Sequence, residues 1–316
     1  MNSAVKASQV PKRPRLSLNG VILLDKPVSY SSNDALIKVK RLLWAAKAGH
    51  TGTLDPFATG LLPLCFGEAT KFSHDLLEAD KTYLTELELG IRTSTGDTEG
   101  EVLETKPVTL ELSQIEAVLS QFRGKILQVP PMYSALKRDG KALYEYARQG
   151  ITLEREARPV EIFELELLDY QAPILSLRVC CSKGTYIRVL GEDIGAALGC
   201  GAHLRSLRRT KVANLDLQHA VTMDYLESLS ESQCQQLLAP VDTLLNTFPL
   251  LNLPDELVQR ILHGQRLNLF KSGLVAPIST GRLRLYDNHQ RLLGTAILRE
   301  DGQLAPERLV VRPGQE

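Results

Sequence analysis

Apolar and polar positions follow two rhythms along the chain, and these mark out its elements. GVILLDKP carries a short apolar run that predicts a buried strand from Val21 to Asp25, closed by Pro27. In SSNDALIKVKRLLWAA, Leu36, Val39, Leu42 and Leu43 recur at helical spacing, and Ser31 followed by Asp34 marks the helix start. LLPLCF predicts an apolar strand and EATKFSHDLLEA a helix. KTYLTELELG alternates, with Tyr83, Thr85, Leu87 and Leu89 on one side, as a half-buried strand does. RTSTGDTEGE is a turn-rich loop, and SQIEAVLSQFRG a short helix with a glycine stop.

Regularity fades between Gly124 and Arg158, a basic stretch rich in tyrosine. RPVEIFELELLDY and ILSLRVCCS then predict a strand pair, and TYIRVLGEDIGAALG a strand end entering a helix. LRSLRRTKVANLDL is strand-like toward its end. After a linker-like SLSESQCQQ, short strands dominate from about Leu250: RLRLYD, LLGTAIL and ERLVV, at a spacing that suggests a small β-barrel. Strands mixed with helices in irregular order predict an α+β body and not a doubly wound sheet. Residues 1–18 are polar, basic and interrupted by two prolines, and read as a flexible tail.

At 316 residues with 43% hydrophobic content, the chain is long enough for one large domain and one small one. Lys plus Arg and Asp plus Glu each number 37, so a general polyanion binder is excluded while a local basic surface is not. The five cysteines include no CxxC pair, which points to reduced, buried thiols and a cytoplasmic location. The first residues lack the apolar run of a signal peptide, and no run of eighteen apolar residues occurs, so no membrane association is expected.

The chemistry concentrates in GHTGTLDPFATG, residues 49 to 60. Its glycines suit a tight loop or close approach to a ligand, but no GxxxxGK[ST] is present to make it a phosphate loop. His50 and Asp55 are too few for a metal site, and no GxSxG marks a hydrolase nucleophile. What remains is one carboxylate, Asp55, biased toward extended geometry by Pro56 and presented on a shaped loop.

GHTGTLDPFATG closely resembles the signature loop of the TruB family of tRNA pseudouridine synthases. The resemblance continues through VILLDKPVSYSSNDAL, LLPLCFGEATKF, DKTYLTELELGIRTSTGDTEG, PPMYSALKRDGKALYEYARQG, CSKGTYIRVLGEDIG and GAHLRSLRRTKV, about residues 20 to 215 in order. It implies a pseudouridine synthase-type fold: a mixed, mostly antiparallel sheet flanked by helices in a catalytic domain over 19–245. An RNA-gripping insertion would span 124–158, and a PUA-like RNA-binding barrel 246–316. It implies isomerisation of uridine to pseudouridine in the T loop of tRNA, at tRNA position 55, with the base flipped out. No metal or cofactor, no obligate protein partner and a monomeric state are expected.

The resemblance also assigns roles. Asp55 matches the essential aspartate, acting as nucleophile or base. Arg208 matches the arginine expected to pair with it, and Tyr83 the active-site tyrosine that stacks on the base or takes part in moving the C5 proton. His50 is expected near the RNA, and Lys26 and Pro27 at the pocket floor. Lys183, Gly184, Tyr186 and Arg188 fall beside the cleft. Arg209 and Lys137 are further RNA-binding candidates. Ser29 stands where many relatives carry glycine, which bears on the local turn and not on the chemistry. Two other classes compete: an RNA-binding or RNA-folding module independent of catalysis, and a guide-RNA-dependent enzyme within a larger complex. The set Asp55, Tyr83 and Arg208 favours the enzyme over the first. The insertion favours self-sufficiency over the second.

Overall fold

A computed structural model describes residues 13–311. Its strands are β1 Gly20–Lys26, β2 Ala48–His50, β3 Thr59–Phe66, β4 Lys81–Leu89, β5 Ile91–Thr93, β6 Val102–Thr105, β7 Gly124–Gln128, β8 Lys137–Arg138, β9 Lys141–Ala142, β10 Arg158–Gln171, β11 Ile174–Cys181, β12 Ala202–Val212, β13 Leu215–Asp216, β14 Val221–Thr222, β15 Leu250–Leu253, β16 Leu267–Asn268, β17 Gly281–Asp287, β18 Leu292–Leu298 and β19 Gln303–Leu309. The helices are α1 Ser32–Leu42, α2 Ser73–Leu77, α3 Leu112–Leu119, α4 Leu143–Ala147, α5 Ile187–Ala197, α6 Met223–Ser228, α7 Glu231–Gln236 and α8 Asp255–Leu262.

A large sheet runs in the order β14-β1-β3-β12-β4-β11-β10-β7, with β2 added to β3 and β13 to β12. Most pairs are antiparallel; β1–β14 and β3–β12 are parallel. This is the mixed α+β body that the element order predicts. Strand β4 buries Tyr83, Thr85, Leu87 and Leu89 on the face its alternation assigns. Helix α1 starts where Ser31 caps it, the hydroxyl accepting from the Asp34 N–H at 3.1 Å.

Three segments differ from the sequence reading. Residues 67–77 form a 3₁₀ turn, Gly67–Phe72, and only then the short α2. The Thr70 and Ser73 hydroxyls donate to the carbonyls of Gly67 and Thr70, drawing this stretch away from a plain α-helix. The whole of β12 is a central strand, although its four basic residues suggest a solvated face. Residues 13–18 are docked rather than loose, while residues 1–12 of the expected tail lie outside the described part. Trp44 Nε1 donates to the Pro14 carbonyl at 2.8 Å, the Arg15 guanidinium lies 4.1 Å from the Trp44 ring centre, and Arg13 pairs with Glu231.

The C-terminal sheet is separate and curled, in the order β15-β17-β18-β19-β16, over a core of its own that includes Leu253, Ile261, Leu283, Leu285, Leu293 and Leu304. It is latched to the body through Asp75 of α2, whose Oδ1 accepts from Arg282 at 2.6 Å and from Arg308 at 3.0 Å. Among the described residues no helix is long and apolar enough to cross a membrane.

Candidate active site

The loop between β2 and β3 is fixed from three sides. Ser32, at the start of α1, donates its hydroxyl to the Leu54 carbonyl at 3.0 Å and accepts from the Leu54 N–H at 2.8 Å. Lys26 ends β1 with its side chain wholly buried, and its ammonium donates to the carbonyls of Tyr30 (2.7 Å), Pro27 (2.9 Å) and Pro56 (3.4 Å). Ser29 donates its N–H to the same Pro56 carbonyl at 2.9 Å. Its φ of 69° is left-handed, so this turn keeps the geometry that glycine adopts freely even though the residue is serine.

Below the loop, β12 runs parallel to β3, with Arg208 opposite Thr59 and Arg209 opposite Gly60. Gly60 has φ 100°, and a Cβ there would lie 2.3 Å from the Arg209 carbonyl oxygen. Arg209 is 1% exposed; Nε donates to the Leu61 carbonyl at 2.8 Å and Nη2 to the Gly52 carbonyl at 3.1 Å. Its positive charge also acts on the Tyr83 phenol. Arg209 therefore supports the loop and the tyrosine from inside the protein, rather than meeting RNA from the surface.

These supports leave Asp55 in crowded surroundings, with 35% of its side chain open to solvent. Its Oδ2 meets Arg188 Nη2 at 2.9 Å. The expected partner, Arg208, instead places both terminal nitrogens on the Asp25 carboxylate, at 3.1 and 2.7 Å, and stays 41% exposed. The reason is strand alternation: Arg209 takes the buried side of β12, which turns its neighbour Arg208 away. Arg188, in the first turn of α5, is 4% exposed and donates also to the carbonyls of Tyr133 (2.7 Å) and Thr95 (3.2 Å), with Asp97 3.6 Å from its Nε.

Burial pushes the Asp55 carboxyl up; the Arg188 guanidinium opposes this, the Asp97 carboxylate reinforces it, and Lys26 opposes it weakly. Burial also pushes Lys26 down to about 8. The Tyr83 phenol is pushed up to about 12 by burial, against the pull of Arg209, so it is a neutral hydroxyl at pH 7. His50 is half-buried, and burial followed by Arg209 pushes it down, favouring the neutral ring. Burial pushes the Tyr186 phenol up, and the Asp55 charge pushes it in the same direction.

Asp55, Lys26, Tyr83, Tyr186, Arg188 and Arg209 thus converge, with His50 on the adjoining strand. Arg208 does not join them. Lys183 pairs with Glu78 at the surface, and Lys137 is exposed on β8 in the insertion. Sequence reasoning missed Asp97, 2% exposed, because GDTEG reads as an ordinary turn; the only signal was an acid set between Thr95 and Glu99. There Asp97 Oδ1 accepts from the Thr95 hydroxyl at 2.5 Å and from the Glu99 N–H at 3.0 Å. Among the described residues, no group of three or more His, Cys, Asp or Glu is placed to hold a metal ion. The arrangement can hold an ionised carboxylate beside a guanidinium, with a neutral phenol near it and part of the carboxylate open to solvent.

Three family descriptions match consecutive stretches: TruB family pseudouridylate synthase (N terminal domain) over residues 40–187, tRNA pseudouridylate synthase B C-terminal domain over 188–246, and pseudouridine synthase II TruB, C-terminal, over 249–310. A tRNA pseudouridine synthase B of Burkholderia lata is 61% identical over 305 residues, covering 96% of this chain and 94% of its own. One from Ralstonia nicotianae is 59% identical over 313 residues, covering 96% and 98%. In fold, the chain is similar to the protein solved in an archaeal box H/ACA sRNP Nop10-Cbf5 complex, with a TM-score of 0.69 and 26% identity over 93% of this chain and 86% of that one. With matches over nearly its whole length, this chain belongs to the TruB family of pseudouridylate synthases.

Proposed function

We propose that the chain converts uridine to pseudouridine in the T loop of tRNA, at tRNA position 55, with Asp55 as the essential group. The observation that carries this is the carboxylate itself: one aspartate, open to a ligand yet paired with a buried guanidinium, on a loop fixed from three sides. The names of relatives near 60% identity supply tRNA as the substrate class.

The reaction is an internal rearrangement. The N1–C1′ bond breaks, the base turns, C5 bonds to C1′, and the proton on C5 leaves while N1 gains one. The Asp55 carboxylate starts it, as nucleophile at C1′ or as base at C2′; either role needs the ionised form. Arg188 holds that charge, replacing Arg208 in the role expected for it. Tyr83, neutral and buried against Arg209, faces the base and takes part at C5.

To reach the cleft the uridine must leave its stack, which costs about a few kcal/mol. Stacking on an aromatic ring returns about 1–3 kcal/mol, and phosphate contacts supply the rest. The insertion offers them. Lys137, Arg138 and Arg148 are exposed there, and Lys141 and Arg148 lie over the rings of Tyr146 and Tyr144 at 4.5 and 5.3 Å. We read the enzyme as a cytoplasmic monomer acting without a protein partner.

The test is the position of the product. An unmodified tRNA transcript is incubated with the full chain, digested, and mapped for pseudouridine by mass spectrometry after carbodiimide labelling. Pseudouridine at tRNA position 55 alone supports the reading; product elsewhere, or none with tRNA still bound, contradicts it.

A further inference from the structure

Gln128 ends β7, the edge strand from which the insertion departs, and is 2% exposed. Its amide is devoted to one backbone unit. Oε1 accepts from the Tyr186 N–H at 3.1 Å, and Nε2 donates to the Tyr186 carbonyl at 3.3 Å. The side chain thus mimics a strand partner for Tyr186, whose carbonyl also accepts the first helical bond, from the Leu190 N–H at 3.1 Å. Tyr186 is the N-cap of α5 and has no side-chain cap bond of its own; Arg188 follows two residues later. Five residues beyond Gln128, the Tyr133 carbonyl accepts from Arg188 Nη2 at 2.7 Å, and this is the nitrogen that meets Asp55 at 2.9 Å. The stretch 128–133 therefore grips Arg188 twice, once through the helix start and once at the guanidinium.

We propose that Gln128 is a positioning residue for the reaction. Through the Tyr186 backbone it sets where α5 begins, and so where the Arg188 guanidinium stands against Asp55. It also ties that ion pair to the root of the insertion that grips RNA. Gln128 itself touches no reacting atom. The proposal rests on reading Asp55 and Arg188 as the working pair. A shift of about 1 Å at such a pair costs on the order of 10²-fold in rate, whereas RNA affinity, which comes from phosphates and stacking, has no reason to change.

The experiment uses the full chain and an unmodified tRNA transcript. Single-turnover rate at saturating enzyme, tRNA dissociation constant and melting temperature are measured for Gln128→Met, Gln128→Glu, Arg188→Ala and the double variant Gln128→Met with Arg188→Ala. Gln128→Met is expected to lose about 10²-fold in rate with the dissociation constant unchanged within about threefold. Gln128→Glu keeps the acceptor for the Tyr186 N–H and should retain more rate. In the Arg188→Ala background, Gln128→Met should cost little more, because both act through one group. Wild-type rate in Gln128→Met, fully additive losses in the double variant, or a rate loss matched by weaker tRNA binding and a lower melting temperature would each overturn the proposal alone. Normal turnover by Asp55→Asn, run beside them, would overturn the site reading and the proposal with it.

Discussion

Asp55 is pulled in opposite directions. Burial and Asp97 favour its protonated form, and Arg188 and Lys26 its ionised form. The balance lies above the ordinary aspartate value of 3.8. If turnover needs the carboxylate, activity falls on the acid side along a limb above that value. The groups facing Asp55 are Arg188, Asp97, Glu99, Lys26, Tyr83 and Tyr186. Arg188→Ala removes the strongest influence favouring ionisation, so the limb moves to higher pH and the rate at pH 7 falls about 10²–10³-fold. Arg208→Ala, which releases Asp25 and the Thr59 hydroxyl but no group on Asp55, should cost less than about tenfold. A pH–rate profile of both variants checks this, and equal losses would contradict the assignment of Arg188. The linkage sign is opposite to that of an ordinary paired aspartate. The folded state binds this proton more tightly than the unfolded one, so the Asp55 contribution to stability declines as pH rises from 3.8 through the folded value.

Ser29 is a second residue-scale case. A serine at φ 69° is strained where glycine is not. Ser29→Gly should stabilise the fold by about 0.5–1 kcal/mol in urea unfolding without changing turnover. A loss of stability would show that the serine contributes more than its backbone strain costs.

At the scale of elements, the site depends on the parallel register of β3 and β12. Gly60→Ala would place a methyl 2.3 Å from the Arg209 carbonyl oxygen, at a φ of 100°. It should destabilise by about 3 kcal/mol and displace the loop from Arg209. Denaturant unfolding with a turnover assay measures both, and a fully stable, active variant would contradict the register argument. Here the limit of sequence reading is visible. The strand at Val21, the cap at Ser31 and the alternation of β4 are local patterns, and they were legible. Asp55 stands out in the sequence as a candidate, because an acid between glycines and a proline is unusual. The partner of Asp55 was not legible from residue type. SLRRTKV looks like a solvated basic face, yet alternation buries Arg209 and exposes Arg208. Arg188 lies in IRVLGEDIG, where helical periodicity gives no sign that an arginine will be 4% exposed. Burial of a charge is decided by long-range contacts, here the Tyr133 and Thr95 carbonyls and Asp97, which no local window contains.

Over the whole molecule, the C-terminal module has its own core and meets the body through charged contacts and through Leu292 and Val310, which pack against a body cluster that includes Val21, Leu61 and Phe72. Asp75 is the hub, 6% exposed in its side chain, and it takes both Arg282 and Arg308. Asp75→Ala leaves those arginines without their shared acceptor and should cost about 3–5 kcal/mol at the junction. Calorimetry should then show a lower-melting transition for the module, apart from that of the body; an unchanged single transition would mean that apolar packing holds the two together.

The isomerisation proposed for Asp55 removes the proton from C5 of uridine. It is tested most directly by tritium release from an unmodified tRNA transcript labelled at C5 of uridine, with wild type and Asp55→Asn compared at equal tRNA occupancy. Wild type should release tritium and Asp55→Asn none above background, with tRNA binding retained. Release by Asp55→Asn at a rate near that of wild type would contradict the proposal.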